Sequence, residues 1–350
     1  MRRAPGATVL ACIALAACTS GETPTHEPTS PVTLTLVTHD SFDVTKSVLR
    51  GFEERTGIQV EVLPEGDAGQ LVNRAILATG NPEGDVLFGI DNGLLAGALA
   101  KDVFLPYASP RLSAVSDTFE LDPEHRVTPI DHGDVCVNND LAAYADRPAP
   151  GSLEDLADPS YRGELVVENP ATSTPGLAFL LATVAAYGDP GFEDYWRRLR
   201  ANDITVVDGW EQAYFGQFSG AGGGEGTHPL VVSYATSPVA EVVFAEEPVD
   251  RPPTGVLVGT CFRQIEFAGI LRGTEHEDEA RRLIDFLLSR EFQEDIPLRM
   301  FVTPVATDAH LPTVFARWAV DPGVPYALPP EQVAANRTDW VERWTDIVLR

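Results

Sequence analysis

Between Val32 and Ile90 the chain switches its hydrophobic period back and forth, and this limits the folds open to it more than any other feature. Val32 to Val37 reads Val, Thr, Leu, Thr, Leu, Val, a strand pattern of period two. Val44, Val48, Leu49 and Phe52 then share one helical face, and Gly57 supplies a stop before Ile58 to Val62 returns to strand character. A helix is predicted near Gly69 to Thr79 with Leu71, Val72, Ala75 and Ile76 inward, and a short strand at Asp85 to Ile90. Strands alternating with helices at this spacing predict an α/β lobe with a mainly parallel sheet.

The same alternation returns between about Asp134 and Gly259. Gly163 to Glu168 reads as strand, Pro175 to Tyr187 as a helix with Pro in its first turn, and Phe192 to Leu199 as a further helix. Ile204 to Val207 and Leu230 to Tyr234 are strand patterns, and the Gly-rich stretch Ser219 to His228 between them reads as a mobile surface loop. Two extended segments, Val127 to Asn138 and Val256 to Leu271, flank this region and are placed to carry the chain out of one lobe and back. Cys136 and Cys261 lie on them, and outside the cytoplasm such a pair is expected to form a disulfide that pins the crossovers together. Amphipathic helices are predicted at Glu279 to Ser289 and at Glu331 to Val348, the latter with Trp340, Trp344 and Ile347 on its core face. The expectation is an α/β, two-lobed chain with a hinge of crossover strands. Its first lobe takes residues 32–133 and 260–350, the latter with the C-terminal helices, and its second lobe takes 134–259.

The N-terminus adds a compartment. Arg2 and Arg3, the apolar stretch from Val9 to Ala17 and the small residues before Cys18 lay out a cleaved export signal over residues 1–17. That apolar stretch is far below the ~20 residues needed to cross a bilayer. Leu15, Ala16, Ala17 and Cys18 resemble a bacterial lipobox, which implies a lipid on Cys18 and a polar tether over 18–31. The chain carries 25 Lys and Arg against 52 Asp and Glu, a net charge of −27, and cleavage would remove only two of its bases. Such a field repels nucleic acid and attracts a small cation.

Several segments match one family in order along the chain. THDSF at Thr38–Phe42, GIDNGLL at Gly89–Leu95, ENPATSTPGL at Glu168–Leu177, DGWEQAY at Asp208–Tyr214, SYATSP at Ser233–Pro238, QIEFAG at Gln264–Gly269 and TPVA at Thr303–Ala306 resemble segments of the thiamine-binding proteins of bacterial ABC transporters. The resemblance implies a type II periplasmic-binding-protein fold, a ligand held between the lobes, and delivery of thiamine or its phosphates to a membrane permease. It also implies a monomer without cofactor or metal.

Carried over by position, the contacts fall on Asp67, Ala68, Ser173, Thr174, Trp210 and the run Tyr234, Ala235, Thr236, Ser237 and Pro238. The thiazolium charge of thiamine is permanent, so a selective site needs aromatic faces and carboxylates. Cation–π contact is worth ~0.5 to 2 kcal/mol. Trp210 and Tyr234 are the candidate rings, although core packing would suit both equally well. Ser173, Thr174, Thr236 and Ser237 sit where strands give way to helix starts, which suits an N-cap as well as a ligand hydroxyl. Asp91, Asp134 and Glu266 are candidate acidic partners. His39 and His132 stand where the family commonly has Tyr, Ala240 where a further aromatic is frequent, and Phe301 approximates a family Trp. These departures predict a thinner aromatic enclosure and a pH-dependent site.

Other readings have less support. A ferric-iron receptor of this fold would need clustered Tyr, His and carboxylate ligands, and no adjacent tyrosine pair exists. A polyamine receptor would share the acids and aromatics. A secreted hydrolase would need GxSxG, HExxH or a comparable set, none of which occurs.

Overall fold

A computed structural model describes residues 32–222 and 226–350, together with Met1. Apart from Met1, the segments expected to be an export signal at 1–17, a lipidation site at Cys18 and a tether at 18–31 lie outside the described residues. Val32–Arg350 forms one compact unit.

The first alternation folds as its periods require. β1 (Thr33–Thr38), α1 (Lys46–Thr56), β2 (Gln59–Pro64), α2 (Ala68–Leu77) and β3 (Val86–Asp91) follow in turn, and β1 pairs in parallel with both β2 and β3. Gly57 ends α1 at φ +73°, a left-handed backbone that only glycine adopts without cost. β3 is buried along its whole length, as an interior strand covered on both faces should be. α3 (Leu95–Ala100) and the two-residue β4 (Phe104–Leu105) then lead into the long β5 (Thr128–Asp140).

The middle region holds α4 (Leu153–Leu156), β6 (Leu165–Glu168), α5 (Thr174–Tyr187), α6 (Gly191–Ala201), β7 (Thr205–Val207), α7 (Trp210–Tyr214), β8 (Leu230–Tyr234) and α8 (Ser237–Val243). β6 runs parallel to β7 and β8. α5 is buried from Thr174 to Val184, which explains a helix sequence that is apolar all round. The chain returns along β9 (Thr254–Leu271) and ends with α9 (Glu277–Leu287), α10 (Arg290–Gln293), α11 (Ile296–Arg299), β10 (Thr303–Pro304), α12 (Thr313–Trp318) and α13 (Pro330–Val348).

All strands join one sheet in the order β2-β1-β3-β9-β5-β8-β6-β7, with β4 on β9 and β10 on β5. The whole sheet is mixed, while the β2-β1-β3 flank is parallel as expected of the first alternation. Its two flanks are parallel, but β5 and β9 are antiparallel to each other and to their flanking neighbours β8 and β3. The reason is the double crossing: one strand carries the chain out and the other carries it back, so they must run in opposite directions. A disulfide joins Cys136 on β5 to Cys261 on β9, and both sulfurs are buried. Trp344 of α13 meets Trp196 of α6 edge-on with ring centroids 5.5 Å apart, and Trp340 donates to Asp189, so the C-terminal aromatics are core as expected.

Candidate functional site

Beyond the carboxyl ends of β1, β6 and β8, the usual place for a ligand in an α/β sheet, lies a cavity of about 400 Å³. Its wall is assembled from the turn after β1 (His39, Asp40, Ser41), the starts of α2 and α5 (Asp67, Ala68, Thr174, Pro175), α7 with Phe215, the β8–α8 segment, Glu266 of β9, and residues 299–302. Helix starts point unpaired N–H groups and the positive end of a dipole at such a space.

One part of the wall is aromatic. The Trp210 indole stacks on Tyr214 with centroids 5.1 Å apart and planes at 20°, and it meets Phe215 and Tyr234 edge-on. Its orientation is held by a chain of hydroxyls. Trp210 Nε1 donates to Ser233 Oγ at 2.9 Å, Ser233 Oγ lies 2.8 Å from Ser237 Oγ, and Ser237 Oγ accepts from the Tyr234 backbone N–H. With its only donor spent inside the wall, the indole has a ring face left for a ligand. Phe244 and Phe301 meet edge-on across the rim with centroids 5.3 Å apart. Phe301 has φ +55°, and its carbonyl accepts from the Thr236 hydroxyl, which holds this unusual backbone in place.

The other part is acidic. Asp67 stands in the N-cap position of α2 and accepts the Thr174 and Trp210 backbone N–H groups on its two oxygens, both at 3.2 Å. One carboxylate thereby ties together the starts of α2, α5 and α7. Burial raises its pKa, and the two N–H groups offset only part of that. Asp40, Glu211, Glu241, Glu246 and Glu266 also line the cavity. Glu241 takes the Tyr214 hydroxyl at 2.9 Å and the Gly222 N–H at 2.7 Å. Gly222, in the Gly-rich stretch, therefore contributes to the wall. Arg299 is the one guanidinium among the described lining residues, and Asp43 at 3.0 Å neutralises it. The wall is thus anionic overall.

Glu266 has His39 beside it, with Nε2 to Oε1 at 3.4 Å. Gly89 makes room for this ring: a Cβ there would stand 2.5 Å from His39 Cδ2, and its φ is +113°. Burial is the largest single influence and disfavours the imidazolium, but the combined attraction of Glu266, Asp67 and Asp40 outweighs it and the His39 pKa is raised. Behind Glu266, on the paired strand, lies the fully buried Asp131, whose own pKa is raised well above the usual range by burial and by Glu266.

Of the residues singled out from sequence, His39, Asp67, Ala68, Thr174, Trp210, Tyr234, Ser237, Glu266 and Phe301 meet at this cavity. Asp91 does not. It is buried, caps the turn at Gly93 and Leu94, and accepts from Gln264 Nε2, which also reaches Thr174 Oγ1, each at 3.0 Å. Burial pushes its pKa to about 7. Ser173, Thr236 and Pro238 are buried at helix starts, and Ala235 packs with the disulfide. Asp134 is held by Arg263 at 2.6 Å. His132 stacks on Phe119 outside the cavity, and burial lowers its pKa to about 4, so it is not a second titrating imidazole at the wall. Further aromatics join the wall. Phe244 stands four residues after Ala240, one helical turn on along the same face, and Tyr214 and Phe215 also contribute. The sequence signal for Phe244 is that i,i+4 spacing.

A cavity beyond the strand ends, walled by ring faces and carboxylates, suits a receptor that captures a small solute. Residues 81–317 match the model of the bacterial extracellular solute-binding proteins. The chain is 30% identical over 327 residues to the thiamine-binding periplasmic protein of Salmonella typhimurium, covering 91% of this chain and 94% of that one. It is 30% identical over 318 residues to its namesake from Brucella suis, with 89% and 91% covered. A solved structure of a periplasmic thiamin binding protein superimposes with a TM-score of 0.79 at 26% identity, covering 91% of this chain and 96% of that chain. This chain belongs to the bacterial extracellular solute-binding protein family, and it has the two-lobed type II periplasmic-binding-protein fold.

Proposed function

We infer that this protein captures thiamine, or its phosphate esters, outside the cytoplasm and passes it to an ABC permease without chemical turnover. The observation that carries this reading is the cavity wall: among its described residues, six carry aromatic rings besides His39 and six carry carboxylates, against one arginine that is already neutralised. Such a lining suits a flat, permanently charged organic cation, because ring faces and carboxylates attract the charge while neither requires a proton from it. The names of the relatives support the same choice. In this reading Trp210, Tyr234 and Phe301 contact the rings, Glu266 faces the cation, and Thr174, Ser237 and the helix starts beside Asp67 and Ala68 take the alcohol or phosphate end. Residues 32–133 and 260–350 form one lobe and 134–259 the other, closing about β5 and β9. A lipid on Cys18 anchors a monomer to the outer face of the cell membrane.

Titration calorimetry of the delipidated protein against thiamine, thiamine monophosphate, thiamine diphosphate, spermidine and ferric citrate tests the reading. Saturable one-to-one binding of a thiamine compound, recovered unchanged, is expected. Tight binding of spermidine or ferric citrate with none of thiamine would overturn it.

A further inference from the structure

We propose that His39 is a built-in competitor for the cationic ligand: its imidazolium satisfies the Glu266 carboxylate in the unliganded receptor and gives up its proton when an organic cation takes that place, so capture is coupled to proton release. This rests on the cavity being the site of an organic cation, as proposed above.

The geometry is specific. Both side chains line the cavity, their charged atoms are 3.4 Å apart, and each is only 13% exposed. The ring cannot readily withdraw, because it presses on the strand backbone where Gly89 leaves room for it and packs against Phe88 at 5.8 Å. The groups that face His39 are acidic on every side: Asp40 on its own turn, Asp67 at the start of α2, Glu211 on α7, and Glu266 on β9 with Asp131 behind it on β5. Arg299, the other base in the wall, is held by Asp43 and Thr45.

A permanent cation beside Glu266 removes the attraction that sustains the imidazolium and adds repulsion at short range, leaving burial to disfavour the charged ring. The proton leaves to solvent, and the neutral imidazole remains in the wall. The sign follows. The unliganded His39 pKa is raised above 6.5, and the liganded one must lie lower. Between the two, affinity rises with pH by up to about tenfold per unit, and above the unliganded value it levels off.

The test is calorimetry of thiamine binding to the processed protein from about pH 5.5 to 8.5, in buffers of different ionisation enthalpy. Near pH 6 the wild type should release close to one proton per thiamine, falling towards zero by pH 8.5, and His39→Gln should release markedly less and bind with a flatter pH profile. An NMR titration of the His39 ring in the wild type, with and without saturating thiamine, serves if the variant does not fold; its pKa must drop on binding. Thiamine binding without proton release, or with an unmoved His39, overturns the coupling and leaves the function intact. Absence of thiamine binding at every pH overturns the function itself.

Discussion

Replacing Trp210 separates a ligand contact from a packing contact. One indole face is stacked on Tyr214, the N–H is taken by Ser233, and the residue is half-buried at the cavity wall. Trp210→Ala removes a cation–π contact worth ~1 to 2 kcal/mol in a partly dry site. It also removes apolar contact with the ligand, which would contribute about 1 kcal/mol if roughly 40 Å² is covered, at ~25 cal/mol per Å². Together these predict a loss of thiamine affinity of ~30- to 150-fold, since about 1.4 kcal/mol is tenfold. Stability should also fall, because the Tyr214 stack and the Ser233 hydrogen bond are worth about 1 kcal/mol each. In a chain of this size that lowers Tm by roughly 4 °C. Trp210→Phe keeps a smaller ring face and loses the indole N–H and one fused ring, so its affinity should fall by less than about tenfold. Calorimetry and thermal melts of the unliganded variants decide the matter. If Trp210→Ala melts several degrees lower yet binds thiamine within about twofold of wild type, the ring belongs to the core and the ligand contact is refuted.

Gly89→Ala should lower Tm and disturb His39, because a Cβ at φ +113° is strained and would lie 2.5 Å from the ring; an unchanged melt and an unchanged His39 NMR signal would contradict this. Cys136→Ser paired with Cys261→Ser should cost about 2 to 5 kcal/mol of unfolding free energy by denaturant melts, since the bond closes a long loop, and neither cysteine should alkylate in denaturant without reductant. Glu168 is buried with both carboxyl oxygens unpartnered, and burial raises its pKa well above 4.5. Its contribution is therefore favourable at low pH and lost as pH rises towards the folded-state value. Glu168→Gln should gain stability relative to wild type by up to about 1.4 kcal/mol per pH unit between about 4.5 and the folded-state value, and by a constant amount above it; parallel stability–pH curves for the two proteins would refute the assignment.

Local order was legible because it rests on short-range periodicity. The alternation around β1 to β3, the apolar run of α5, and the extended stretches that became β5 and β9 all appear as patterns within a few residues of one another. Trp210, Tyr234 and Glu266 could be singled out because each sits in a segment that resembles the family's, and their residue types suit a bound cation. Even so, the same segments carried Asp91, Ala235 and Thr236 into the candidate set, and the structure turns these inward.

What the sequence by itself determined was the succession of strands and helices, the export-signal pattern, the acidic balance and nine of the residues around the cavity. Only the tertiary structure decided which of those side chains share a space. That depends on the antiparallel register of β5 and β9, which sets Glu266 against Asp131, and on the phase of α8, which turns Phe244 to the rim. It depends equally on the approach of α2 to α5 and α7, through which Asp67 meets two helix starts. The physical reason is that hydrophobic period is a property of neighbours along the chain. The pairing of a histidine with a distant carboxylate is a property of packing, and no local pattern encodes it.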